Sequence, residues 1–294
     1  MNLLIDGSSL LWRTYHVTKS QELVDIESII HTFIKILKSY AVMYNSQDIY
    51  IAWDRKLHRE KNFRQVLTSG TYKGQRDRTE AAKVYTSQSK IHKVTQTLGC
   101  KNMYPWVMEA DDIIAWLSKN LTGNNIIITT DQDMLQLITP KTSVYQPRKK
   151  IIVDHSNFQD IMKMPIEHFL PYKAILGDKS DNIPGIFGCG PVGSRKLAKI
   201  WVEKTEPIKE EDRIIIEQNI KIMNLAIGYV IGSKKEVITY KIQLDRYSDL
   251  TIDMDGFKQL CEHYNFDSIL NNLNVWEKGF KKSQLLQILE NLPF

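Results

Sequence analysis

Residues 1–6 read MNLLID, an apolar run that closes on one carboxylate, Asp6. A strand buried on both faces needs such a run. An acid at its carboxyl end stands where open α/β sheets place their chemistry. Working outward, four later stretches also deliver carboxylates, after apolar segments or at helix starts. Asp54 follows IYIAW, and Glu109, Asp111 and Asp112 open an apolar-faced helix. Asp131 and Asp133 follow IIITT, and Asp178 and Asp181 lie in GDKSDN.

Periodicity sets the frame around these acids. Strands are predicted at 2–6, 48–53, 101–104 and 125–129, with a hairpin of 143–146 and 150–153 over Pro147-Arg148. Helical spacing is predicted at 26–44, 81–98 and 109–121, near 155–162 with Asp154 as N-cap, and at 171–176. The alternation up to about residue 150 predicts an α/β fold: a central, mainly parallel sheet with helices on both faces. Successive parallel strands end on one side, so their terminal acids converge. Nine converging carboxylates repel one another unless cations neutralise them. All-oxygen donors suit Mg²⁺ or Mn²⁺, and two such ions about 4 Å apart support phosphodiester hydrolysis.

Composition is compatible with this and excludes other classes. The chain has 294 residues, 43% of them hydrophobic, enough for a full core. Net charge is +5, which a solvated surface explains as well as a polyanionic partner does. Cys100, Cys189 and Cys261 are odd in number and form no CxxC, so neither a disulfide framework nor a zinc ribbon is expected. Reduced thiols, no leader peptide and no apolar run near the ~18 residues of a membrane span point to the cytoplasm and away from a membrane.

Two further stretches carry charge in a pattern. Residues 55–78 hold eight bases (Arg55, Lys56, Arg59, Lys61, Arg64, Lys73, Arg76, Arg78) against two acids, with Phe63 and Tyr72 between them. Bases neutralise phosphates and rings stack on bases of a single strand; a charged loop with no partner is the alternative. Gly185, Gly188, Gly190 and Gly193 precede Arg195, Lys196 and Lys199. Glycines let backbone N–H groups approach phosphate, so this stretch reads as a hairpin gripping a DNA backbone without reading bases. No GxxxxGK[ST] occurs, which disfavours an NTPase.

In combination these motifs resemble the flap endonuclease family, the 5′-nuclease domains of bacterial DNA polymerase I and their free-standing phage relatives. Asp6-Gly7-Ser8-Ser9 with Arg13, Tyr72-Lys73-Gly74-Gln75-Arg76, Glu109-Ala110-Asp111-Asp112, Thr130-Asp131-Gln132-Asp133 and Gly177-Asp178 through Pro184-Gly185 match in order and approximate spacing. Residues 237–273, read as a strand followed by CEHYNFDSIL, extend the match to about residue 275.

The resemblance implies a PIN-like nuclease core over 1–165 with a helical arch about 55–84. It implies a helical DNA-binding region over 166–275, with a helix–two-turn–helix about 183–199, and leaves a tail helix at 276–294. One metal would be held by Glu109, Asp111 and Asp6, with Asp54 and Asp112 nearby; a second by Asp131, Asp133, Asp178 and Asp181. Lys73 and Arg76 would stabilise charge on the scissile phosphate, and Tyr72 would stack on the terminal base. Arg13, Gly188, Gly190, Arg195, Lys196 and Lys199 would meet DNA, with K⁺ at the helix–two-turn–helix. Val192 stands where the family often has lysine, which shifts phosphate contact to Arg195 or Lys196.

The implied protein is a monomeric, metal-dependent 5′ nuclease. It would cut DNA with 5′ flaps or ends and RNA–DNA hybrids, removing RNA primers. The terminal Leu292-Pro293-Phe294 raises a single-strand binding protein as a further partner. A PIN-type single-strand ribonuclease and a non-catalytic junction-binding module are the alternatives.

Overall fold

A computed structural model gives the fold and describes residues 1–23, 25–46, 48–54, 62–73, 81–232 and 234–281. The bases Arg55, Lys56, Arg59, Lys61, Arg76 and Arg78, and the tail beyond residue 281, lie outside the described residues.

The chain opens β1 (Asn2–Asp6), α1 (Gly7–Ser20), α2 (Ile26–Met43) and β2 (Asp48–Ala52). It continues through α3 (Phe63–Leu67), α4 (Ala81–Thr97), β3 (Lys101–Met103), α5 (Ala110–Asn120) and β4 (Asn125–Ile128). A 3-10 turn (Asp133–Leu137) leads to β5 (Thr142–Gln146) and β6 (Ile151–Val153). The rest is helical: α6 (Phe158–Met162), α7 (Phe169–Leu176), α8 (Pro191–Glu203), α9 (Glu210–Met223), α10 (Leu225–Gly232), α11 (Lys234–Arg246), α12 (Met254–His263), α13 (Asp267–Leu270) and α14 (Leu273–Phe280).

The six strands lie in the order β3-β2-β1-β4-β5-β6, parallel except for the antiparallel β5–β6 hairpin. Strand order reverses between β1 and β4. Ligands of open α/β sheets bind at such a switch point, beyond the carboxyl ends, and Asp6 and Asp131 border it.

Alternating strand residues feed two cores. Leu3 and Ile5 face α1, α2 and α4, whereas Leu4, Tyr50 and Ile127 face α5 and α6. On α2 the spacing Ile29, Ile30, Phe33, Ile34, Leu37 is fully buried, worth about 2 kcal/mol per side chain. Phe257, Cys261, Trp276 and Phe280 of α12 and α14 join the first core. Ala174, Ile175, Ala198 and Ile216 pack α7, α8 and α9 around a separate small core. Cys100, Cys189 and Cys261 are free thiols. Among the described residues no helix is long and apolar enough to cross a membrane.

Two expectations are corrected. The strand expected to open the 237–273 stretch is the helix α11. Its β-branched alternation imitates a strand, but Val237, Tyr240 and Leu244 are the residues that reach the second core, at helical spacing. The helix near 155–162 begins only at Phe158, because Asp154 spends its Oδ1 on the backbone N–H groups of Ser156 and Asn157 before the helix starts. The last described helix is α14, and most of the tail helix expected at 276–294 lies outside the described residues.

Candidate active site

The acids are positioned by local rules that also build the elements. Asp6 caps α1: its Oδ1 accepts from Ser9 N at 2.8 Å, and its Oδ2 accepts from Thr129 Oγ1 at 2.9 Å, tying β1 to the end of β4. Gly7 follows because a Cβ there would meet the Trp53 ring and the Ala52 carbonyl at 2.7 and 2.8 Å. Asp54, just past β2, accepts from Ala110 N at 3.0 Å and so holds the start of α5. Asp131 accepts from Asp133 N at 2.8 Å, turning the chain into the 3-10 segment.

The loop carrying Asp178 and Asp181 closes on itself. Asp178 and Ile183 exchange backbone bonds of 2.9 and 2.8 Å. Gly177 (φ +75°) and Gly185 lie so close that a Cβ on either would strike the facing backbone.

A cavity of about 780 Å³ opens at this edge, lined by Asp6, Asp54, Asp111, Asp131 and Asp178, with Lys73, Lys173, Arg13 and Arg148 also on its wall. Five of the nine expected acids therefore share one cavity. Glu109, Asp112, Asp133 and Asp181 are engaged around it. Lys73 Nζ is 2.6 Å from Glu109 and 3.9 Å from Asp181, and Lys173 Nζ is 2.9 Å from Asp133 and 3.2 Å from Asp178. Each lysine bridges acids from two different segments.

The electrostatics cut across that division. Burial, with Asp54 and Asp131 nearby, pushes Asp6 up to about 7 against the pull of its Ser9 and Thr129 bonds. Burial and the charges of Asp131 and Asp6 raise Asp111 well above the usual carboxylate range. Burial and Asp131 push Asp133 up to about 6 despite Lys173. Glu109 goes the other way: burial opposes its charge, but Lys73 and Arg64 outweigh it and hold the carboxyl down at about 2. At Asp178 burial is likewise outweighed, by Ser180 and Lys173, and the carboxyl lies below its usual value.

Asp6, Asp111 and Asp133 thus lack enough positive charge to ionise together, and an oxygen-only donor set fits a hard divalent cation. Among the described residues no three His, Cys, Asp or Glu side chains are already drawn together around one point. The fit rests on donor chemistry and on this shortage of positive charge.

Three of the expected residues are engaged away from the cavity wall. Asp112 is fully buried, and its two oxygens take both Arg64 Nη groups, at 2.7 and 2.8 Å, and the Glu109 N–H. It holds the helix start rather than facing the cavity. Tyr72 offers no stacking face. Its ring is buried beside Ile183, Ile222 and Met223, and its hydroxyl donates to Glu109 at 2.9 Å. Arg64, counted among the bases for nucleic acid, is 2% exposed and also donates to the Ile222 carbonyl at 2.9 Å.

Arg13 lines the cavity and donates to Tyr40 Oη at 2.6 Å. Arg76 lies outside the described residues. Lys173 was not anticipated; its only signal is a base on the last turn of α7, five positions before Asp178.

The glycine hairpin joins α7 to α8. Ile186 N bonds back to the Ile175 carbonyl at 2.8 Å, and Cys189 N to Ile186 O at 3.1 Å, with Gly188 at φ +75° closing the turn. Gly190 caps α8 without a side-chain bond, and Pro191 stands in its first turn. Lys196 and Lys199 are exposed and Arg195 half-buried, all three on α8.

Comparison with known proteins agrees with this geometry. A 5′-3′ exonuclease of Buchnera aphidicola subsp. Schizaphis graminum is 28% identical over 277 residues, covering 88% of this chain and 92% of its own length. The thermostable DNA polymerase I of Thermus filiformis is 23% identical over 93% of this chain, which spans 33% of that polymerase. Among solved structures, T5 5′-exonuclease with bound divalent metal ions (zinc) superposes with a TM-score of 0.69 at 20% identity, covering 84% of this chain and all of that one. The junction-resolving enzyme GEN-1 gives a TM-score of 0.58 at 11% identity, over 95% of this chain and 70% of that one. The family described as 5′-3′ exonuclease, N-terminal resolvase-like domain, matches residues 1–163, more than half of the chain. The protein belongs to the 5′-3′ exonuclease family and is a nuclease.

Proposed function

We propose that the chain is a Mg²⁺-dependent, structure-selective 5′ nuclease that hydrolyses phosphodiesters at single-strand/double-strand junctions and 5′ ends, RNA primers included. The observation that carries this reading is the cavity lined by five carboxylates from five chain segments, bordered by Lys73 and Lys173. Asp6, Asp54, Asp111, Asp131 and Asp178 would hold divalent metal, with Asp133, Asp181 and Glu109 available as the lysines move. Mn²⁺ would substitute. The metal, when bound, supplies Lewis-acid stabilisation of phosphoryl charge and nucleophilic water at neutral pH.

The chain's own residues do the rest. Lys73 and Arg76 neutralise charge building on the phosphate. Thr129 and Ser9 fix the orientation of the Asp6 carboxylate. Backbone N–H groups around Gly188 and Gly190, with Arg195, Lys196 and Lys199, hold duplex phosphates, with K⁺ at the hairpin. Residues 1–165 would serve as catalytic core, with 166–275 as the DNA-gripping region. A cytoplasmic monomer is the expected form, and a single-strand binding protein the further partner.

The test is cleavage of a 5′-labelled flap duplex, with Mg²⁺ and with chelator, beside the same flap blocked at its 5′ end. Cutting near the junction that needs metal and is lost on blocking is expected. Cutting that ignores the block would remove the threading arch. Tight binding with no cutting would leave a junction-binding module.

A further inference from the structure

Glu236, on α11, is fully buried about 130 positions in sequence from the groups it contacts. Its Oε2 accepts from Trp106 N at 2.9 Å, and its Oε1 accepts from Val107 N and from Met108 N, the latter at 2.9 Å. Three consecutive backbone N–H groups thus point at one carboxylate. A buried carboxylate is tolerated when such charge-assisted bonds replace its hydration. The segment gripped in this way is the one that ends at Glu109.

Residues 106–108 lead into α5, whose N-cap is Glu109 and whose first turn carries Asp111. Other contacts at that helix start come from the site itself: Asp54 accepts from Ala110 N, and Arg64 donates to Asp112 and Glu109. Glu236, from the helical region that follows the sheet, holds the segment just before that turn.

We propose that Glu236 is a positioning residue for the active site. By fixing the backbone of 106–108 it sets where Asp111 enters the cavity, so metal affinity and turnover depend on a carboxylate that touches neither metal nor DNA. The cost of a misplaced ligand is steep, because displacement by about 1 Å lowers rates by about a hundredfold.

The experiment uses the full chain with Glu236→Gln, Glu236→Asp and Glu236→Ala. Flap cleavage, DNA affinity in chelator, Mn²⁺ affinity by calorimetry without DNA, and thermal melts are measured. Glutamine keeps the shape but turns an NH₂ group toward a backbone N–H. We expect Glu236→Gln to lower kcat at least tenfold and to weaken Mn²⁺ binding, with KM and DNA affinity within about twofold of the parent.

Glu236→Asp, which keeps the charge and with it the fold, should fall between glutamine and the parent. Added formate should recover part of the kcat lost in Glu236→Ala. A folded variant that melts lower yet keeps parental kcat and Mn²⁺ affinity overturns the proposal and leaves only an anchor. A loss of DNA affinity equal to the loss of kcat overturns it too. Failure of the parent chain to cut would instead count against the proposed nuclease substrate, and the Mn²⁺ titration would still decide Glu236.

Discussion

Arg64 shows how a charged residue can read as a ligand contact and serve as a strut. Its guanidinium joins α3 to Asp112, Glu109 and the end of α9. Removing one partner of a buried pair strands the other, at about 3–5 kcal/mol. Arg64→Met should therefore lower the melting temperature sharply, and the double variant Arg64→Met with Asp112→Leu should recover most of the loss. A double variant no better than the single one would show that Asp112 is not the group left stranded. Lys73→Ala belongs to the other kind of residue. Its amine sits between Glu109 and Asp181 at the cavity wall, so turnover should fall at least about tenfold with little change in DNA affinity. A purely affinity effect would remove it from the chemistry.

The difference explains what was legible. Acids at the ends and starts of elements advertise themselves through position, and five of the nine line the cavity, three of them at or just past strand ends. Whether a given acid faces the cavity or a neighbouring arginine depends on side-chain contacts across long sequence separations. The contacts of Asp112, Tyr72 and Arg64 were not legible in the sequence for that reason.

At the scale of elements, the loop between α7 and α8 is built on the mutual approach of Gly177 and Gly185. Gly185→Ala places a methyl against the Leu176 carbonyl, and the loop that presents Asp178 must open. We expect a marked fall in both melting temperature and cleavage. Gly188→Ala meets nothing within 4 Å and pays only for its left-handed backbone, about 1 kcal/mol. Equal effects from the two substitutions would contradict the close approach. Parallel strands and amphipathic helices such as α2 were readable because one periodicity dominates each. In α11 two periodicities compete, with β-branched residues at Val237, Ile238 and Thr239, and the choice is made by the apolar surface of α5 against which Tyr240 packs.

For the whole molecule, the acidic edge sets a pH dependence. Asp6 and Asp133 are raised to about 7 and about 6, and Asp111 is raised as well. Between their unfolded values and these, the folded chain holds more protons than the unfolded one. Stability contributed by these groups is therefore lost as pH rises through that window. Glu109 and Asp178, lowered, act in the opposite sense, and their contribution is lost only in acid, as pH falls through their folded values. Without divalent metal the melting temperature should fall between about pH 5 and about pH 8. Mg²⁺ should raise it more at the higher pH, where protons no longer neutralise the edge. Equal increments at both values would disconnect the acids from the metal.

The placing of β1 at the centre of the sheet also bears on how the chain is made. Asn2 pairs with Asn125, 123 positions later. At ribosomal speeds, β1 waits on the order of 10 s for β4 to emerge. Through that interval its two apolar faces can be covered only by β2, β3 and the helices before β4, α1, α2 and α4 on one face and α5 on the other, and α12 and α14 complete the cover later still. Nascent chains stalled before residue 125 should be the form of this protein that chaperones hold and that aggregates, whereas those released after β4 should already resist proteolysis across β1.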